Sequence, residues 1–249
     1  MIEYLIPNAS SFGGEIDYLF DLITYIVGFW FILTQAIIFY FIFRFRHKDG
    51  VKAQYLSGEE HHEARWVHWP HYAVIACDVI IIIVTVRIWL DVKMDLPPPD
   101  DKIRVVAQQW TWIFVHSGPD GKLDTADDIA TVNDLHVQKD KTYHFELQSK
   151  DVLHDFSVPV FRLKQDAVPG RTITGWFKPT KTGEWDIQCA EMCGIGHGLM
   201  GARIIVESAE SYSQWLARQS VTKTGEALAA ASVEKPSLPF TKELNRSFE

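Results

Sequence analysis

From Leu22 to Phe43 the chain runs 22 residues without a formal charge, and no other feature limits its folding as strongly. At about 1.5 Å of rise per residue such a run spans roughly the 30 Å of a bilayer core. Its Ile, Phe, Tyr and Leu side chains therefore predict a transmembrane helix, because a domain of this size seldom needs so long an uncharged core helix. The residues before it include Glu3, Glu15, Asp17 and Asp21, whereas a signal peptide leads with basic ones, so the segment is read as an uncleaved anchor. A second apolar run goes from about Trp66 to Leu90, interrupted by Asp78 and closed by Arg87. Between the runs lie Arg44, Arg46, Lys48 and Lys52, which by the positive-inside rule face the cytoplasm. Residues 1–95 are thus expected to form a hairpin with spans at about 20–43 and 67–90. Both termini and everything after Leu96 would lie on the periplasmic side of the inner membrane. Asp78, costly within a bilayer, is expected to face a partner subunit and not lipid.

The average composition hides this division. With 47% hydrophobic and 22% charged residues the 249-residue chain resembles a soluble protein only because two unlike halves are averaged. The run Leu96-Pro97-Pro98-Pro99-Asp100 stops the second helix and makes residues 96–100 a linker. Beyond it come short segments rich in β-branched and aromatic residues: Ile103 to Val106, Trp110 to Val115, Thr142 to Leu147, Thr172 to Phe177, Glu184 to Gln188 and Ala202 to Val206. Turn signals such as Val168-Pro169-Gly170 separate them, so residues 101–218 read as an all-β sandwich or barrel closed by a short helix over Ser211 to Arg218. Residues 219–249 mix Lys, Glu, Ser, Pro and Ala without period and read as an extended tail. A net charge of −8 excludes nucleic acid as a partner and suits a basic protein. No Cys-x-x-Cys-His motif for attaching a c-type haem is present.

Chemistry concentrates in Cys189-Ala190-Glu191-Met192-Cys193-Gly194-Ile195-Gly196-His197-Gly198-Leu199-Met200. In an oxidising compartment the default for two nearby cysteines is a disulfide, but a disulfide has no use for an adjacent histidine and methionine. Thiolate and thioether are soft donors and imidazole suits copper, which points to an electron-transfer copper site more than to zinc. Cys193, His197 and Met200 alone would suit a single copper ion. The second thiol, Cys189, allows two sulfurs to bridge two coppers, and each metal then needs its own imidazole. His154, 35 residues upstream of Cys189, is the best placed second histidine, and the carbonyl of Glu191 is the obvious remaining donor. His116, His136 and His144 compete with His154 until its surrounding motif is considered.

That motif resembles the dinuclear copper (CuA) site of cytochrome c oxidase subunit II. The likeness runs through the paired helices, Val152-Leu153-His154, Leu163-Lys164-Gln165-Asp166-Ala167-Val168-Pro169-Gly170-Arg171 and the Cys189 to Met200 loop. It implies a helical hairpin joined to a cupredoxin-like Greek-key β domain. It also implies electron uptake from cytochrome c, or from a c-haem subunit of a neighbouring complex, and delivery to haem in subunit I. There, at the haem and CuB, oxygen is reduced and protons are pumped. Two other readings stay open: the CuA subunit of a nitric oxide reductase, and a membrane-tethered copper carrier.

The resemblance gives further residues roles. The side chain of Glu191 would bind Mg2+ or Mn2+ shared with subunit I. Trp110, in Gln109-Trp110-Thr111-Trp112, would be where electrons enter, with Thr111 in place of the family's tyrosine. Glu63, in Glu63-Ala64-Arg65-Trp66, would sit at the mouth of a proton path. The acidic stretch Asp120 to Asp128 could steer a basic cytochrome, bind Ca2+ or simply be a solvated loop.

Overall fold

The computed structural model describes residues 2–52 and 57–219, and the expected C-terminal tail therefore lies, from residue 220, outside the described residues. Two long helices come first, α1 (Gly13–Arg44) and α2 (His61–Trp89), which pack side by side. Almost none of their surface is covered by the chain itself: α1 buries only Gly13 and Asp17, and α2 buries nothing. Side chains such as Phe29, Ile32, Phe39, Ile82 and Ile83 stay exposed, as lipid or partner helices require. Pro70 lies inside α2, in its third turn. One π-helical turn, Leu90–Met94, ends the second helix ahead of the proline run.

The rest is a sandwich of two five-stranded sheets. One holds β1 (Asp101–Gln108), β2 (Thr111–His116), β3 (Ile129–Val132), β5 (Tyr143–Ser149) and β8 (Ile173–Phe177) in the order β3-β2-β1-β5-β8. The other holds β4 (Asp134–Gln138), β6 (His154–Val158), β7 (Leu163–Ala167), β9 (Gly183–Cys189) and β10 (Gly201–Glu207) in the order β4-β10-β9-β6-β7. The β1–β5 and β4–β10 pairs are parallel and the other neighbours antiparallel, the cupredoxin-like pattern. Strand β2 shows why the layers hold: its burial alternates, putting Trp112 and Phe114 in the core and Thr111, Ile113 and Val115 outward. Phe145, Phe156, Phe161 and Phe177 complete an aromatic centre. Residues 209–219 form a third helix, α3, whose Trp215 lies between His136, stacked at 4.4 Å, and His116, edge-on at 4.9 Å.

The helices are fastened to the sandwich. Residues 9–12 lie along it, with Ala9 N–H donating to the Val160 carbonyl, Ser11 N–H to Lys178 and Thr180 N–H to Ala9. Ser10 Oγ accepts from Gly13 N–H at the start of α1 and donates to the Phe161 carbonyl. Arg162, held at φ +56° in the turn after β6, grips the Asp17 carboxylate at 2.6 and 2.9 Å and also donates to the carbonyls of Ile6 and Pro159. Both members of this ion pair are nearly buried. At the other helix, Trp176 donates to the Val92 carbonyl.

Candidate metal centre

Strand β6 opens with His154, β9 ends with Cys189, and the loop between β9 and β10 carries Cys193, His197 and Met200. Because β6 and β9 are hydrogen-bonded neighbours, with Phe156 opposite Cys189, the upstream histidine is brought to the loop. Cys189 Sγ lies 3.7 Å from Cys193 Sγ, too far for a bond, and both thiols are free. His154 Nδ1 is 3.8 Å from Cys189 Sγ, and His197 Nδ1 is 3.7 Å from Cys193 Sγ. Met200 Sδ stands 3.8 Å from Cys193 Sγ, and the Glu191 carbonyl oxygen 3.3 Å from Cys189 Sγ. Among the described residues, His154, Cys189 and Cys193 form a group of histidine, cysteine and carboxylate donors close enough to share a metal ion.

The donor set fits soft metal ions. Two ligand atoms at about 2.0–2.3 Å from one metal, at a tetrahedral angle, lie roughly 3.5 Å apart, close to these spacings. Burial, then the neighbouring Cys189 thiol, pushes the Cys193 thiol up to about 11, so paired thiolates in this position need a cation. His154 is fully enclosed and Cys193 and Met200 nearly so. His154 Nε2 lies 2.8 Å from Asp151 Oδ1, a carboxylate that can only accept, so Nε2 carries the proton and Nδ1 turns its lone pair towards the thiols. Partial burial works against charge on Asp151, yet hydrogen bonds from His154, Gln109 and Val152 hold its carboxyl below the usual range.

Asp151 has a second task. Its Oδ2 accepts the Gln109 backbone N–H at 2.7 Å, while Gln109 Nε2 and Trp110 Nε1 both donate to the Cys193 carbonyl, at 2.9 and 3.2 Å. Trp110, in the turn before β2, is 39% exposed, whereas Trp112 is wholly buried and meets the His154 ring edge-on. The two tryptophans therefore do different work: one presents an indole at the surface, and the other braces a candidate ligand from below.

The remaining nominated residues lie elsewhere. Glu63 sits in the first turn of α2 and accepts from Gly58 N–H at 2.9 Å, at the far end of a helix that spans about 43 Å. His116 and His136 clasp Trp215, and His144 bonds the Pro97 carbonyl. In the acidic loop, Asp120, Asp127 and Asp128 accept N–H groups of the loop itself, and Asp124 pairs with Arg104 at 2.7 Å. Near the thiols, Asp155 pairs across the strands with Asp166. Burial, partly offset by the Lys164 ammonium and reinforced by Asp166 and Glu191, pushes the Asp155 carboxyl up to about 6. The roles of Asp151, Gln109 and Trp112 are not visible in sequence reasoning; the only signal is their closeness to His154 and Trp110 along the chain.

A pair of membrane-length helices carrying a β sandwich, with two thiols, two imidazoles and a thioether gathered at one end, defines a membrane-anchored cupredoxin-like protein. Residues 102–209 match the family described as cytochrome c oxidase subunit II, periplasmic domain. The alternative cytochrome c oxidase subunit 2 of Bradyrhizobium diazoefficiens is 33% identical over 237 residues, covering 86% of this chain and 83% of that one. The cytochrome c oxidase subunit 2 of Cereibacter sphaeroides is 26% identical over 240 residues, 84% and 78% of the two chains. Among solved structures, the periplasmic domain of subunit II of cytochrome oxidase (CoxB) of Bradyrhizobium japonicum has 26% identity and a TM-score of 0.46, over 51% of this chain and 99% of that one. The chain belongs to the cytochrome c oxidase subunit II family, and is a membrane protein with a periplasmic domain.

Proposed function

We propose that this chain receives electrons from a cytochrome c-type donor at a dinuclear copper centre and passes them to haem in subunit I of the oxidase. The observation that carries the reading is the pair of free thiols 3.7 Å apart, each with its own imidazole Nδ1 within 3.8 Å. His154, Cys189, Cys193, His197, Met200 and the Glu191 carbonyl would hold the metal. When bound, a copper pair sharing one charge supplies a one-electron store. The protein's part is to keep the donors still and dry: Asp151 fixes the His154 ring, Trp112 supports it, and the sheets close over the sulfurs. Such a fixed, enclosed set favours an electron-transfer centre over a copper carrier, and the names of the relatives favour an oxidase over a nitric oxide reductase.

The surface supports docking of a redox partner. Ile195, Leu199 and Met192 are 97%, 90% and 75% exposed beside the thiols, an apolar rim against which Trp110 presents its indole. The acidic loop, its carboxylates engaged by the loop itself and by Arg104, suits long-range attraction of a basic cytochrome better than a Ca2+ cage. Glu191 lies near Asp155, which pairs in turn with Asp166, and these carboxylates support Mg2+ or Mn2+ bound through the Glu191 side chain at the border with subunit I. In the inner membrane, the exposed faces of α1 and α2 would meet subunit I, with Asp78 on α2 turned to a partner subunit and Glu63 at the cytoplasmic mouth of a proton path. The test is copper loading of the full chain under reducing conditions, followed by air oxidation. Two coppers per chain and a seven-line EPR pattern are expected; one copper with a four-line pattern would refute a shared pair.

A further inference from the structure

Three glycines punctuate the loop around His197, and they answer to different demands. Gly194 has φ +117°, a backbone that side chains resist. Gly196 has φ −90° and ψ 8°, a turn conformation open to any L residue. Its missing side chain is therefore not required by its own backbone. A Cβ placed on Gly196 would lie 2.4 Å from Trp110 Cδ2, 2.6 Å from Cγ and 2.8 Å from Cε3, the rigid middle of the indole. At Gly198, on the other side of His197, a Cβ would meet nothing within 4 Å.

We infer that Gly196 is the positioning residue for Trp110: the bare backbone beside His197 is a seat on which the indole rests, so that its Nε1 reaches the Cys193 carbonyl. This rests on the reading of Trp110 as the place where electrons enter. The margins are narrow. A methyl group at residue 196 would force the ring back by about 1 Å to reach ordinary carbon contact near 3.5 Å. The Nε1 hydrogen bond is already 3.2 Å long and has no such slack. Gln109 cannot follow the ring, because Asp151 holds its backbone and its own amide is committed to the same carbonyl. A side chain at residue 196 would therefore separate the indole from the thiol loop without touching any donor atom.

The test uses the full chain labelled with 5-fluorotryptophan in detergent, with Trp110→Phe assigning its fluorine resonance. Gly196→Ala should shift that resonance and Gly198→Ala should not. In the assembled oxidase, Gly196→Ala should leave the copper EPR spectrum unchanged. It should slow electron uptake at saturating cytochrome, to a rate between those of the wild type and Trp110→Phe. If Gly196→Ala takes up copper poorly, adding Trp110→Ala should restore uptake by removing the clash, and failure to restore it overturns the inference. An unmoved resonance, or wild-type uptake where Trp110→Phe is slow, overturns it as well. Should Trp110→Phe itself take up electrons at the normal rate, the role of Trp110 falls and takes the seat with it.

Discussion

Replacing Asp151 by alanine removes one carboxylate that serves two addresses. Its Oδ1 accepts from His154 Nε2 and its Oδ2 from the Gln109 backbone N–H. His154 is fully enclosed but Asp151 lies at the surface, so water can partly replace the lost oxygen, and the orphaned donor should cost towards the lower end of about 1–3 kcal/mol. The same range follows from metal sites in general, where losing a partner that orients a ligand histidine lowers affinity about 10–100-fold, or roughly 1.4–2.7 kcal/mol. Asp151→Asn keeps an oxygen for one of the two donors and should lose less. The assay is competitive titration of copper between a chelator and the full-length chain, with EPR read on the loaded protein. Asp151→Ala should bind copper 10–100-fold more weakly, with altered hyperfine splitting, and Asp151→Asn should fall between. Affinity and spectrum both equal to wild type in Asp151→Ala would refute the claim that this carboxylate orients His154.

Other expectations follow from the same structure. Cys193→Ser removes one of the two thiols and should reduce copper uptake to one ion per chain with a four-line EPR signal; retention of two coppers would contradict a shared sulfur pair. Arg162→Ala leaves Asp17 nearly buried without its cation and should cost about 3–5 kcal/mol, read as a lower melting temperature of the full chain in detergent, while Arg162→Met with Asp17→Asn should cost less. His116 is pushed down to about 3 by burial and then by His136, against about 6.5 when unfolded. Its neutral form therefore contributes stability that is whole above pH 6.5 and is lost as the pH falls towards 3, by up to about 1.4 kcal/mol per pH unit. His116→Phe should flatten thermal stability between pH 6.5 and 4 relative to wild type, and identical slopes would refute this.

What could be read beforehand depended on how locally each feature is encoded. A charge-free stretch and its basic flank are consecutive, so α1 and the hairpin are visible at once. The thiols, His197 and Met200 fall within one loop, and their chemistry is legible from residue type. His154 was reachable only through its motif, because β6 gives no strand signal: Asp155 and Ser157 look like surface residues, yet all five positions of the strand are buried. The tryptophans mislead in the opposite way. Spacing of two puts Trp110 and Trp112 on one face of a strand, but β2 starts at Thr111, and the turn before it sends Trp110 to the surface and Trp112 to the core. Nothing in the sequence pairs Arg162 with Asp17 or Gly196 with Trp110, since long-range complementarity leaves no periodic trace.

The stitching of residues 9–12 to strands far along the chain sets an order of events. Ser10 is synthesised 151 residues before the carbonyl it bonds, and Asp17 precedes Arg162 by 145. The outer end of α1 thus waits, with its carboxylate unmatched, until the turn after β6 has been made and the sandwich closes over it. The contacts that fasten the anchor to the headpiece are therefore complete only when both are in place.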